Sequence, residues 1–183
     1  DSGKTIILDM NGETLSIGFS DSSKNLIVNN GTLTITGDGT FDATEATSYK
    51  GFINNYGTLT VENGTFQIAD KAMTVHLRNQ DGGKAVINGG TFSGGATIVR
   101  SFEGSNTTIT GGSFTNSVYP AVDVNGETLI TGGIFTNTSC SRCDSQNWGY
   151  TVRSGVDNDP DAKLTITPSS EGSVVVTGTQ GAL

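Results

Sequence analysis

The chain has 183 residues, of which 33% are hydrophobic and 26 are glycine, and its 10 basic and 18 acidic residues give a formal net charge of −8. That is too polar for a layered globule with a thick core, yet Ile, Val, Leu and Phe recur too regularly for a disordered chain. The acidic balance argues against nucleic acid and anionic membranes, which are bound through clustered Lys and Arg, and no apolar run approaches the roughly 18 residues of a membrane span.

Short strands broken by Gly and Asn turns are predicted throughout, with no sustained helical period. After the opening KTIILDMNGETL (4–15), the alternating run TLTIT (32–36) leads to Phe41, and TLTVE (58–62) leads to Phe66. KAVIN (84–88) precedes Phe92, NTTIT (106–110) precedes Phe114, and ETLIT (127–131) precedes Phe135. These five aromatics are separated by 25, 26, 22 and 21 residues. Such a period, punctuated by glycine, marks a solenoid whose units bury their apolar sides only by stacking on one another. Strand alternation turns Ile35, Val61, Ile87, Ile109 and Ile130 to one side, with mostly polar neighbours on the other. The paired glycines before Phe92, Phe114 and Phe135 are expected to turn a corner, and the Phe to fill the wedge behind it.

A second series, AMTVHL (72–77), ATIVRS (96–101), AVDVN (121–125) and YTVRS (150–154), gives two or three short strands per unit. The expected fold is all-β: a parallel β-helix (β-solenoid) with one strand of each kind per coil, coils of 21–26 residues, six to seven coils, and a single domain over 1–183. KLTIT (163–167) breaks the spacing, since Ile166 stands 36 residues past Ile130. The surplus is expected to leave the stack as a loop around 138–162. That loop carries the only tryptophan, Trp148, with Tyr150, Arg142, Cys140 and Cys143. Aromatic faces with Arg and amides suit contact with sugar rings; the alternative is that Trp148 and Tyr150 fold back on the flank of the helix.

The opening segment, IVNNGTLTITGDGTFDA (27–43), INNYGTLTVENGTF (53–66) and the INGGTF and ITGGSF units resemble the β-helix repeats of secreted bacterial surface proteins and of phage virion and tail proteins. The wider family they resemble is the right-handed, pectin-lyase-like β-helix. The resemblance covers nearly the whole chain and implies right-handed coils, an extracellular, cell-surface or virion location, and display, attachment or contact with a host glycan or receptor.

Alternation along the second series places Arg78, Arg100, Asp123 and Arg153 on the outer side of successive coils. They form either a ladder of surface ion pairs or a strip that grips acidic sugars through bidentate Arg contacts. Asp123 is expected to face solvent, as is His76, the only histidine, which has no partners at zinc or triad spacing. A polysaccharide lyase needs a base beside a calcium-binding carboxylate cluster, and a hydrolase needs carboxylates facing one groove about 5–9.5 Å apart. Neither arrangement is recognisable, so no catalytic residue, metal or cofactor is assigned. A lyase or hydrolase of the pectin-lyase type is the competing function.

Asp157, Asp159 and Asp161 alternate like calcium-loop ligands, but Ala162 and Pro168 stand where an EF-hand needs Gly and Glu. Cys140 and Cys143 suit either a short-range disulfide or two free thiols. The outward threonines Thr34, Thr60 and Thr108 suggest a third function, ice binding, although Val86 and Leu129 interrupt their column. The primary expectation is a non-catalytic surface module. Its abrupt start and end within strand-forming segments suggest a piece of something longer.

Overall fold

Successive coils stack their strands in parallel in this computed structural model, which describes residues 2–18, 21–45, 49–69, 74–116, 119–137, 152–154, 163–166 and 174–177. β1 (Thr5–Asp9), β2 (Thr14–Ser16) and β3 (Asp21–Asn29) form the first coil, and β4 (Thr32–Thr36), β5 (Thr40–Ala43) and β6 (Tyr49–Asn55) the second. β7 (Thr58–Val61), β8 (Thr65–Ile68) and β9 (Val75–Asn79) follow, then β10 (Lys84–Ile87), β11 (Thr91–Ser93) and β12 (Thr97–Ser101). Next come β13 (Asn106–Ile109), β14 (Ser113–Asn116) and β15 (Val122–Val124), then β16 (Glu127–Ile130), β17 (Gly133–Asn137) and β18 (Val152–Ser154). β19 (Lys163–Ile166) and β20 (Val174–Thr177) complete the series. Strands one coil apart pair in parallel, making sheet A (β1-β4-β7-β10-β13-β16-β19), sheet B (β2-β5-β8-β11-β14-β17-β20) and sheet C (β3-β6-β9-β12-β15-β18). Each predicted repeat is therefore one coil of three strands. KLTIT rejoins the stack in register, Ile166 opposite Ile130.

Because pairing is in register, like residues sit on like. Phe41, Phe66, Phe92, Phe114 and Phe135 form one internal column, with neighbouring rings 4.9, 4.6, 5.1 and 4.7 Å apart and within 8° of parallel. That spacing is the distance between paired strands, so backbone geometry alone sets the rings into a stack. Burial comes from the stacking and not from the strand itself. Leu33 and Phe41, with coils on both sides, are 7% and 0% exposed, whereas Ile6 and Leu15, their register partners on the edge strands, are 56% and 46% exposed.

The two glycines ahead of Phe92 have different tasks. A Cβ on Gly89 would lie 2.5 Å from the Glu62 carbonyl oxygen of the preceding coil, so the close approach of two backbones requires glycine there. Gly90 has φ near +98°, a left-handed conformation that a side chain would strain, and it turns the chain from sheet A into sheet B.

At the corner from sheet C to sheet A, buried asparagines stack. Asn29 Nδ2 donates to Asn55 Oδ1 (2.7 Å), and Asn55 Nδ2 donates to Asn79 Oδ1 (2.8 Å). Each also donates to a carbonyl of the next coil: Thr58 (2.9 Å), Lys84 (3.1 Å) and Asn106 (2.8 Å) respectively. The ladder thus adds a second donor to the carbonyls that open β7, β10 and β13 of sheet A and ties the corner of one coil to the next.

His76 departs from expectation. It is 2% exposed and lies inside the stack, 6.3 Å from the Phe52 ring and 6.0 Å from that of Phe92. The cause is a break in the pairing of sheet C. Gly51, Val75 and Thr97 align, as do Ile53, Leu77 and Val99, but the residues between them, Phe52, His76 and Ile98, have no pairing partner and turn into the core. Simple alternation fails at that step. His76 Nε2 lies 3.1 Å from the Ser93 carbonyl and 3.2 Å from that of Gly94; carbonyls only accept, so Nε2 carries the proton. Burial outweighs both bonds and lowers the imidazole pKa to about 4, so the ring is neutral near pH 7.

Candidate functional site

The outer side of sheet C brings the predicted charged residues together. Asn54 aligns with Arg78, Arg78 with Arg100, Arg100 with Asp123, and Asp123 with Arg153, one residue per coil. The residues that precede the column by one position, Ile53, Leu77, Val99 and Val122, are buried and root it in the core. For Arg153 the backbone position is all that is described. Trp148, Tyr150, Arg142, Cys140, Cys143 and the Asp157–Asp161 run lie outside the described residues.

Asp123 holds its predicted place in the column but is not at the solvent surface. It is 1% exposed, and its Oδ2 lies 3.3 Å from Arg100 Nε. The Nε–H is not aimed at that oxygen, so the contact is a close ion pair and not an aligned hydrogen bond. Its cover comes from neighbouring side chains: Arg100, Arg78 and Tyr119 line the same cavity of about 190 Å³, over Val75, Ala96 and Thr97. A space of that size is below the roughly 300–1,000 Å³ of a drug-sized site and suits a single small ring or an ionic headgroup.

Phe102 escaped the sequence reading. It follows β12 in the turn toward sheet A, out of step with the Phe column, and that irregular position was its only signal. The guanidinium carbons of Arg78 and Arg100 lie 4.9 and 5.2 Å from its ring centre. Two cations one coil apart thus share one aromatic ring. Beyond Phe102, a wider cleft of about 650 Å³ is lined by Gln80, Asp81, Glu103 and Gly104. Gln80 Nε2 donates to Asn54 Oδ1 (2.6 Å), and Asn54 Nδ2 donates to the Tyr56 hydroxyl (3.2 Å), adding fixed amides and an exposed phenol beside the arginines. Burial, and next the like charge of Arg100, pull the Arg78 guanidinium below its ordinary pKa. Comparison of the chain with known protein families, curated proteins and solved structures returned no match.

Four carboxylates elsewhere are occupied locally. Asp38 accepts from Asn63 Nδ2 (2.6 Å), Glu62 from Asn88 Nδ2 (2.9 Å) and Glu127 from Asn106 Nδ2 (3.4 Å), each bond linking adjacent coils. Asp42 accepts from the Thr44 hydroxyl (2.7 Å) and backbone NH (3.0 Å), which in that order hold its carboxyl below the usual range. On the outer side of sheet A, Thr34, Thr60, Val86, Thr108 and Leu129 align in one column. Bulky apolar side chains therefore interrupt the threonines at every second coil from Val86 onward.

Proposed function

We propose that this protein is a non-catalytic β-solenoid module, extracellular or virion-borne, of the right-handed, pectin-lyase-like kind found on bacterial surfaces and in phage particles, and that it attaches to a glycan or glycan-bearing receptor. The observation that carries this reading is the stack of Arg78 and Arg100 on Phe102, set between a small cavity and a wider cleft on the outer side of sheet C. Guanidinium forks, amides and an aromatic edge are the groups that hold sugar hydroxyls and rings. In-register stacking repeats such groups at the strand spacing, so a rigid face meets an extended ligand at little ordering cost. The segment 138–151, with Arg142, Trp148 and Tyr150, offers a second contact on the same reading.

The test is a glycan array probed with the parent chain and with an Arg78→Ala/Arg100→Ala/Phe102→Ala triple variant, with melting temperatures measured alongside. Saturable binding by the parent and its loss in a folded variant are expected. A parent that binds no glycan, a variant that binds as the parent does, or polysaccharide cleavage by the parent refutes the reading.

A further inference from the structure

The two stacked arginines are not equivalent. Arg100 has a counter-charge, the buried Asp123, at 3.3 Å. Arg78 has no carboxylate within 4.0 Å among the described residues, and its Nε is enclosed without an acceptor. A half-buried guanidinium beside a like charge and without a counter-ion has only the Phe102 ring to offset the cost of its charge. With Arg78, Arg100 and Asp123 on its wall, the 190 Å³ cavity carries one net positive charge.

The position of Arg78 is also built. Gly51 precedes Val75 by one coil, and a Cβ placed on Gly51 would lie 2.6 Å from Arg78 Cδ and 3.3 Å from its Cγ. The missing side chain at Gly51 forms the slot in which the Arg78 stem lies, while Phe102 holds the guanidinium at the other end. Gly51 is absent from the left-handed glycines of the chain, so it is not required by backbone conformation. The glycine serves the arginine.

We propose that Arg78 is an oxyanion receptor: its terminal NH groups take a carboxylate or sulfate carried by the ligand into the cavity beside Tyr119, Arg100 is held back by Asp123, and Gly51 is the positioning residue that makes Arg78 available. This deepens the attachment reading by assigning the charge of the ligand and the residue that reads it. It differs from a uniform arginine strip in that Arg100 is a neighbour and not the principal contact.

The experiment uses the four arginine Nε–Hε resonances of the whole chain, those of Arg78, Arg100, Arg142 and Arg153, assigned by Arg→Lys substitutions. Sodium acetate and sodium sulfate are titrated at constant ionic strength against sodium chloride. A saturable shift at Arg78 is expected with at least one oxyanion and not with chloride, larger than the shift at Arg100. Acetate saturating first identifies a carboxylated ligand, and sulfate saturating first a sulfated one. In Gly51→Ala, whose new methyl displaces the flexible Arg78 stem and touches, at 3.2 Å, only the end of the Asn25 side chain besides, the apparent affinity should fall at least about fivefold with the melting temperature nearly unchanged. Linear, equal drift at all four arginines, or a Gly51→Ala titration identical to the parent, overturns the proposal. A silent glycan array with a saturable Arg78 shift refutes the attachment reading alone; an array signal with no such shift refutes this inference alone.

Discussion

Lowering the pH should destabilise the fold through one residue, His76. The imidazole is enclosed by Phe52 and Phe92, with a folded pKa of about 4 against an ordinary value of 6.5. The folded state therefore resists a proton that the unfolded chain accepts, and stability is lost as pH falls from 6.5 toward 4. At 1.36 kcal/mol per pKa unit the full loss is about 3 kcal/mol, reached near pH 4, with nothing lost above pH 7. Carboxylates such as Asp42, held below its ordinary value, also lose stabilising contacts in acid, so the parent's slope alone does not isolate the histidine. His76→Gln keeps a side-chain NH donor for the Ser93 and Gly94 carbonyls and cannot ionise. Urea unfolding of both proteins at pH 7.5, 6.5, 5.5 and 4.5 gives the difference. The parent should lose about 2 kcal/mol more than the variant between pH 6.5 and 4.5. Parallel stability curves would mean that His76 is reached by solvent or already charged, and would refute its burial between the two rings.

Phe92→Ala removes the middle of the aromatic column, where the ring stacks on Phe66 and Phe114 and is 3% exposed; chemical unfolding should show a loss of about 3–5 kcal/mol. Asn55→Ala deprives Asn79 Oδ1 of a donor and leaves the Lys84 carbonyl only its sheet partner; the orphaned buried amide oxygen should cost about 1–3 kcal/mol in the same assay. Gly89→Ala brings a methyl against the Glu62 carbonyl and should lower the melting temperature by several degrees, whereas Gly82→Ala, with nothing within 4 Å but φ near +74°, should cost only about 1 kcal/mol.

Sheets A and B were legible because their strands alternate strictly. Thr-Leu-Thr-Ile before a glycine and Thr-Phe after it leave a single assignment of inner and outer sides, and the Phe spacing sets the coil length. Sheet C was less legible for two reasons. The pairing break at Phe52, His76 and Ile98 turns two neighbouring positions of each strand inward, such as His76 and Leu77, which strict alternation does not anticipate. The asparagine ladder was invisible because Asn is also the common residue of exposed turns; only the stacking of Asn29, Asn55 and Asn79 makes it internal. For the site, alternation was enough to align Arg78, Arg100, Asp123 and Arg153. The burial of Asp123, the slot at Gly51 and the seat on Phe102 all come from neighbouring coils, and a single repeat carries no trace of them.

On the outer side of sheet C, the chemistry of Arg78 works against its surroundings. Solenoid coils gain stability from like stacked on like, as the phenylalanines and asparagines show, yet stacked guanidiniums repel. Replacement by methionine provides the separating test. Arg78→Met keeps a flexible apolar stem in the Gly51 slot and removes the charge. Loss of the contact with Phe102 costs about 0.5–1 kcal/mol, and relief of the guanidinium's burial and of the repulsion from Arg100 offsets an amount of the same order, since water still screens a half-buried pair in part. The net change in unfolding free energy should lie within about 0.5 kcal/mol of zero, against complete loss of the oxyanion response. A residue kept for the fold behaves in the opposite way. A destabilisation beyond about 1.5 kcal/mol in Arg78→Met would show that sheet C depends on the arginine pair for its stability, and the cavity beside it would then need no ligand to account for its form.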